Sequence, residues 1–120
     1  MPSEKLVFEP LPTRNNEQTF RLQGPLTLNN IFAFQPVLRQ QTVNTILDLS
    51  GVPYMDSAGL GVLVNSHVSH QQRGQRLILA GVNDRIQELL KLTKVDSVLE
   101  VVPDLEAAYR ALGIGAQGVA

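Results

Sequence analysis

The second half of the chain alternates two kinds of segment, and this alternation restricts the fold more than any other feature. Residues 45–49 and 76–80 are short, mostly apolar runs, which are typical of strands covered on both faces. Residues 57–72 and 83–92 instead repeat apolar side chains every three or four positions, as amphipathic helices do. Strands connected through helices lie parallel, and the crossovers place the helices against the sheet. The chain is therefore predicted to be an α/β protein.

Weaker signals complete the predicted order of elements. Two β-prone runs before residue 23 flank a polar turn, which predicts an N-terminal β-hairpin. Residues 29–41 approach helical spacing, but Pro36 lacks a backbone donor and clashes one turn back. We therefore expect that helix to be kinked or to begin late. A last strand at residues 98–102 and a closing helix at residues 104–112 follow.

These elements predict one domain, residues 1–112, built on a single central sheet. The sheet is expected to be mixed and mostly parallel, with about five strands and about four helices packed on it. Residues 113–120 are small and glycine-rich, and we expect them to form a disordered tail. The second helix is predicted to bury one stripe of side chains, formed by Leu60, Leu63, Val64, His67 and Val68.

Composition excludes several classes of function. The chain has 120 residues and a hydrophobic fraction of 43%, which suits one domain with one core. Its net charge is -1 and its basic residues are scattered, so neither nucleic acid nor a membrane is an expected partner. The absence of cysteine removes disulfides, thiolate nucleophiles and cysteine-ligated zinc. We expect a cytoplasmic protein, because residues 1–5 do not resemble a secretory signal and no stretch reaches transmembrane length.

Residues 48–63 join a predicted strand to a predicted helix and carry the strongest local signal. The helix is predicted to begin at Asp56 and Ser57, with Ser57 as its N-cap, because a serine hydroxyl accepts from an unpaired amide. Gly59 and Gly61 follow inside the helix, where each glycine costs on the order of 1 kcal/mol relative to alanine. Such a bare first turn permits the close approach of a partner or an anion. Spacing alone leaves a binding role and simple packing on the sheet equally open.

Residues 48–50 (Asp-Leu-Ser) and 56–63 (Asp-Ser-Ala-Gly-Leu-Gly-Val-Leu) closely resemble the signature of STAS domains, in particular of bacterial anti-sigma factor antagonists. The resemblance covers residues 6–112. It implies a STAS fold in which Ser57 is phosphorylated by an anti-sigma factor that is also a serine kinase. It also implies that the unphosphorylated antagonist binds this anti-sigma factor and so frees a sigma factor. A phosphatase is a further candidate partner.

The surface around Ser57 is then the expected docking surface. Specific interfaces bury on the order of 800 Å² per partner, which is more than one helical turn supplies. We therefore expect the contact to include neighbouring residues as well as Ser57. The expected partner-binding residues are Tyr54, Asp56, Ser57, Ala58, Gly59, Gly61 and Thr27.

The chain departs from the family pattern at two places. Many members carry an acidic residue after the second strand, whereas residues 24–27 here are Gly-Pro-Leu-Thr. Thr27 keeps a hydrogen-bonding role there but supplies no charge, so the kinase contact is expected to differ. The glycine common after the third helix is also missing, and Lys94 stands near its place, which predicts a local change of the turn.

Other functions have weaker support. His67 and His70 lie three residues apart, but no acidic or cysteine partner accompanies them, so no metal site is predicted. Ser57 lacks the flanking glycines of a hydrolase nucleophile elbow, and no glycine-rich phosphate loop is present. We therefore expect neither an enzyme nor a cofactor. The alternative is a STAS-type module that binds a nucleotide or small ligand at its bare helix start, or a subunit of a larger signalling or transport assembly. The oligomeric state stays open.

Overall fold

A computed structural model describes residues 5–115 of the chain. The chain opens with two strands, after which helices and strands alternate to residue 111. The elements are β1 (Val7–Leu11), β2 (Gln18–Gln23), α1 (Ile31–Arg39), β3 (Thr45–Gly51), α2 (Ser57–Gln72), β4 (Leu77–Ala80), α3 (Asp84–Leu92), β5 (Glu100–Val102) and α4 (Leu105–Ala111).

Five strands form one sheet in the order β1-β2-β3-β4-β5, so every strand pairs with its neighbours along the chain. β1 and β2 pair antiparallel, and all the pairs from β2 to β5 are parallel. The structure therefore confirms the predicted α/β class, the mixed sheet and the N-terminal hairpin. Glu17 stabilises the hairpin connection, because its buried carboxylate accepts hydrogen bonds from the amides of Arg14 and Asn15.

The two faces of the sheet are covered unequally. Side chains of α1, α2 and α3 pack on one face in the main core, where Phe34 and Leu63 are fully buried. On the other face α4 packs against β3, β4 and β5 through Tyr109 and its neighbours. Residues 45–49 of β3 are all buried, as predicted, because β3 is central and covered on both sides. Each large apolar side chain buried in this way contributes roughly 1.5–3 kcal/mol.

The first helix accommodates a proline in its interior. α1 begins at Ile31 after the N-cap Asn30, two residues later than the predicted start, and it contains Pro36. The carbonyl that loses its helical donor to Pro36 belongs to Phe32, one turn earlier. Phe32 and Pro36 are both exposed, so water can reach this carbonyl. The helix therefore tolerates Pro36 without leaving a buried acceptor unpaired.

The buried stripe of α2 differs from the predicted one. Leu60 and Leu63 are buried as expected, but Val68 is 41% exposed. Val62 and His70 are buried instead. α2 packs against α1 as well as against the sheet, so its buried arc turns toward α1.

His70 can be buried because both ring nitrogens have partners. Nδ1 lies 2.8 Å from the Ser66 carbonyl oxygen, and Nε2 lies 3.0 Å from the Thr45 hydroxyl. Burial lowers the pKa of His70 below its usual value, and the nearby Arg73 acts in the same direction. The hydrogen bond to Ser66 opposes this shift without reversing it. The neutral ring is therefore the favoured form in the folded protein.

The segment between α3 and β5 contains two turns. β5 begins at Glu100, two residues late, because the amides of Val98 and Leu99 both donate to the Val95 carbonyl and form a turn. Lys94 adopts a φ of 62°, which is the left-handed region that glycine favours. Lys94 therefore adopts a conformation that glycine would adopt without strain, and the change of the turn relative to the family pattern stays a prediction.

The packed part of the chain runs past the predicted domain end at residue 112. Ile114 is buried on the α4 face of the sheet, and its amide donates to the Tyr109 carbonyl. This part of the predicted tail is packed, because an apolar side chain follows the helix closely enough to reach the core. Residues 116–120, the rest of the predicted tail, lie outside the described residues.

Candidate functional site

Asp56 caps the helix that carries the predicted phosphorylation site. The Asp56 backbone is extended, and one carboxylate oxygen, Oδ1, accepts from the amides of Ala58 and Gly59 at 3.0 Å each. Serine and aspartate are equally good N-caps, and the structure places Asp56 rather than Ser57 in this role. The predicted cap at Ser57 is therefore wrong by one residue, and the Ser57 hydroxyl does not cap the helix.

The same carboxylate ties a second segment to the helix start. Asp56 Oδ2 accepts from the amide of Leu28, which belongs to the loop between β2 and α1. The Asp56 amide in turn donates to the Leu26 carbonyl. Burial acts to raise the pKa of Asp56, but the hydrogen bonds from the amides of Leu28, Gly59 and Ala58 outweigh it and hold the pKa below its usual value. Asp56 is therefore an anion that joins the loop and the helix.

Ser57 is the first residue of α2 and is exposed. Within residues 5–115 its hydroxyl has no hydrogen-bond partner. The first amides of a helix and its dipole favour negative charge at this position. A nucleophilic hydroxyl is thus presented to solvent where an added phosphate is locally tolerated.

The two glycines near the helix start have different environments. A Cβ on Gly59 would lie 2.4 Å from the Leu26 carbonyl oxygen, so only glycine allows α2 to approach the loop between β2 and α1 this closely. A Cβ on Gly61 would meet no atom within 4 Å. Packing therefore accounts for Gly59, whereas Gly61 leaves an open surface one turn after Ser57.

Asn30 holds the loop from β2 to α1 in place beside Ser57. Its side-chain amide donates to the Pro25 carbonyl, and its Oδ1 accepts from the amide of Thr27. The Thr27 carbonyl accepts a hydrogen bond from the amide of Ile31. Residues 27–31 therefore form one helical turn that leads directly into α1. Thr27 therefore lies in the loop that Asp56 binds, and its role in partner binding stays a prediction.

Tyr54 lies on the other side of the helix start. Its ring is half-buried, and the Arg85 guanidinium from α3 sits 5.0 Å from the ring centre. Ala58 is also half-buried, at the edge of the main core. The predicted site residues thus come from the loop after β2, the loop after β3 and the first turn of α2.

The match to a family model decides the classification. The STAS domain model matches residues 10–108, which is most of the chain. The chain belongs to the STAS domain family. Its five-stranded sheet, four helices and N-terminal hairpin are the STAS architecture that the sequence resemblance implied.

Relatives of this STAS domain carry names that concern sigma-factor control. It is 42% identical over 55 residues to the "Anti-sigma-B factor antagonist" of Listeria monocytogenes, a match covering 46% of this chain and 48% of that protein. The chain spans about half the length of the curated relatives it matches.

Solved structures show the same fold. An anti-sigma factor antagonist from Mycobacterium paratuberculosis superposes with a TM-score of 0.77 at 15% identity, over 90% of this chain and 94% of that one. The anti-sigma factor antagonist SpoIIAA in its unphosphorylated form superposes with a TM-score of 0.71 at 17% identity, over 90% and 100% of the two chains.

The sequence reasoning missed two exposed apolar residues, one in the loop that Asp56 binds and one at the start of α1. Leu28 and Phe32 are 59% and 56% exposed, and they lie four residues apart across the turn that leads into α1. The sequence signal was present, because Phe32 falls outside the apolar spacing of Ile31, Phe34 and Leu38 that faces the core. Exposed apolar side chains next to a proposed contact point are a feature of interaction surfaces.

Two further findings concern other classes of site. Across residues 5–115, no helix has both the length and the apolar character needed to cross a membrane. In the same part of the chain, His67 and His70 are not joined by acidic residues into a group that could hold a metal ion. The Nδ1 atom of His67 is buried there without a hydrogen-bond partner.

Proposed function

We propose that this STAS domain is an anti-sigma factor antagonist that acts as a phosphorylation-controlled interaction switch. In its unphosphorylated form it binds an anti-sigma factor with serine kinase activity, and phosphorylation of Ser57 ends this binding. The observation that carries the proposal is the free, exposed hydroxyl of Ser57 at the first position of α2, next to the cap Asp56. The names of the relatives support the choice of partner.

The chemistry in this proposal belongs to the partner. Ser57 Oγ attacks the γ-phosphorus of ATP bound to the kinase, and a new O–P bond forms while the bond to the ADP oxygen breaks. The hydroxyl proton passes to a base of the kinase. A phosphatase would reverse the switch by transferring the phosphoryl group from Ser57 to water. The domain itself is not an enzyme in this scheme, and its location is the cytoplasm, where ATP is available.

Phosphorylation is expected to spare the fold. The phosphate adds about -1.5 to -2 charge at neutral pH. The helix dipole and first-turn amides stabilise it by about 0.3–1 kcal/mol, although the neighbouring Asp56 carboxylate opposes it. Ser57 has no hydrogen bond to the described residues that the modification would break. The modified protein should therefore melt close to the unmodified one.

Binding is expected to respond much more strongly. Ser57 and the open surface at Gly61 lie on the first turns of α2, where a partner can approach the backbone closely. A phosphate there must be desolvated when the partner docks, which costs several kcal/mol if it is poorly paired. Because each 1.4 kcal/mol is about one factor of ten, the affinity would fall by several tenfold steps.

Calorimetric titration with a cognate anti-sigma factor kinase tests the proposal. The unmodified protein and Ser57→Ala should bind, whereas the phosphorylated protein and Ser57→Asp should not. Incubation with the kinase and ATP should add one phosphate, which peptide mass spectrometry should locate on Ser57. Equal affinity for the phosphorylated and unmodified forms would contradict the switch. Binding of labelled nucleotide to the domain alone would instead favour a nucleotide-binding module.

A further inference from the structure

The helices α1 and α2 form a surface that lacks acidic side chains. No aspartate or glutamate occurs at residues 18–47 or 57–83, which include both helices. Two of the four basic residues in these ranges lie at the C-terminal ends of the helices. Arg39 is in the last turn of α1, and Arg73 directly follows α2. The surface therefore carries positive charge at one end, and the carboxylate that caps α2, Asp56, lies at the opposite end of that helix.

Arg39 and Arg73 form no ion pair within the described residues, unlike three other arginines of the chain. Three arginine ion pairs occur among residues 5–115, namely Arg14–Glu106, Arg21–Asp48 and Arg76–Glu100. Neither Arg39 nor Arg73 has a carboxylate partner in that part of the chain. Arg73 donates one hydrogen bond, to the Gln41 carbonyl, which fixes its direction. Both guanidinium groups therefore remain available to an external anion.

A groove between the two helices brings these arginines together. It has a volume of about 220 Å³. Its lining includes the polar residues Gln35, Arg39, Asn65, Ser69 and Arg73. Residues between 35 and 39 in α1, and between 62 and 73 in α2 and its C-cap, therefore line one shared surface.

The other end of this surface is apolar and adjoins Ser57. Leu28 and Phe32 are more than half exposed there, and the Leu28 amide bonds to the Asp56 carboxylate next to Ser57. The 16 residues of α2 separate Ser57 from Arg73 by about 24 Å at 1.5 Å per residue. This distance exceeds the Debye length of about 8 Å at physiological salt. The arginines therefore cannot neutralise a phosphate on Ser57.

We propose that the α1–α2 surface docks a protein that presents an apolar pocket to Phe32 and Leu28 and acidic side chains to Arg39 and Arg73. This docking surface rests on the proposed function, because its partner is the anti-sigma factor that the domain is proposed to bind. The charge complementarity follows from a cationic end without any carboxylate of its own. The two ends have different roles. The arginines orient the partner and raise the rate of association. The apolar end supplies most of the affinity, and because it adjoins Ser57, phosphorylation disrupts binding there.

Titration of the cognate anti-sigma factor against paired variants tests the electrostatic end. Arg39→Glu is compared with Arg110→Glu, which changes the corresponding last-turn arginine of α4 on the opposite face. At about 0.05 M salt, Arg39→Glu should weaken binding by about tenfold, and at about 0.5 M the difference should shrink severalfold. Arg110→Glu should bind like the unmodified protein. Equal losses from the two variants, or a loss that does not depend on salt, would overturn the assignment.

A second pair of variants tests the apolar end. Phe32→Ala should weaken binding by tenfold or more at both salt concentrations, whereas Val98→Ala, at another exposed apolar residue, should not. Thermal melts confirm that each variant is folded. If Phe32→Ala and Arg39→Glu bind the anti-sigma factor normally while phosphorylation of Ser57 abolishes binding, the α1–α2 docking surface is wrong but the proposed function stands.

Two further outcomes would contradict the choice of the anti-sigma factor as the partner of this surface. Failure of the unmodified protein to bind at any salt concentration would remove the proposed function and this docking surface with it. A stable dimer of the free protein that dissociates in Arg39→Glu, measured by sedimentation, would assign the surface to a second copy of the chain instead.

Discussion

Replacing Asp56 with alanine is expected to lower the free energy of unfolding by about 2 kcal/mol. Loss of a helix cap alone costs about 0.5–2 kcal/mol. Asp56 also accepts the amide of Leu28, and losing this more exposed hydrogen bond adds about 0.5–1.5 kcal/mol. These terms overlap, because one carboxylate supplies all the acceptors. The expected loss therefore lies between the cost of the cap and the sum of the two.

Asp104 provides a matched control for this prediction. It caps α4, but its carboxylate accepts one backbone amide, that of Ala107, at 2.8 Å. Asp104→Ala should cost about 0.5–1 kcal/mol, so Asp56→Ala should exceed it by about 1 kcal/mol. Urea unfolding at neutral pH with an unchanged m-value measures both losses. Equal losses would show that the bond to Leu28 contributes nothing to stability.

The pH dependence gives an independent check on the same side chain. The pKa of Asp56 is lower in the folded protein than in the unfolded chain, where it is about 3.9. A carboxylate with a lowered pKa stabilises the fold above its unfolded pKa, and this contribution disappears as the pH falls through the folded pKa. The stability advantage over Asp56→Asn should therefore be constant above about pH 5 and shrink below about pH 4. An advantage that persists at lower pH would refute the electrostatic part of the reasoning.

Three further predictions follow from the described geometry. Gly59→Ala should lower the free energy of unfolding by more than about 2 kcal/mol, because its Cβ would collide with the Leu26 carbonyl. Gly61→Ala should instead raise the free energy of unfolding by about 0.5–1 kcal/mol, and similar melting points for the two variants would contradict this. Lys94→Gly should stabilise by about 0.5–1 kcal/mol in urea unfolding, because glycine adopts the observed positive φ without strain; a loss of stability would count against it. Because the pKa of His70 is lowered by burial, the thermal midpoint should fall as the pH drops below about 6.5, and His70→Gln should reduce this dependence; a flat profile would refute it.

The sequence allowed the sheet and the position of Ser57 to be predicted, because both depend on local patterns. An apolar run such as residues 45–49 needs cover on both faces wherever it lies, so it identified the central strand. Asp56 and Ser57 are adjacent and equally good caps, so the pattern placed the helix start within one residue. It could not choose between them, because the choice depends on the contact of Asp56 with Leu28, which is 28 residues away in the chain.

Other features depended on tertiary contacts that the sequence does not display. Gly59 and Gly61 are the same residue type in the same helix, and only the position of Leu26 separates a packing glycine from an open one. His70 replaced Val68 in the buried stripe because α1 lies against α2 and Thr45 offers a polar partner. In each case a contact between distant segments overrode a pattern that was correct for an isolated element.

The strictly sequential strand order has a consequence for how the domain folds. Since each strand pairs with the next along the chain, the sheet can grow by adding one strand at a time, and each step closes a loop of limited length. Contacts of α4 with the hairpin are the exception, because Tyr109 bonds to Thr19 and Glu106 pairs with Arg14 across about 90 residues. Docking of α4 on the hairpin is therefore the step that requires the sheet to be in place first. The half of the domain that carries Ser57 can assemble before that step, and α4 then closes the opposite face.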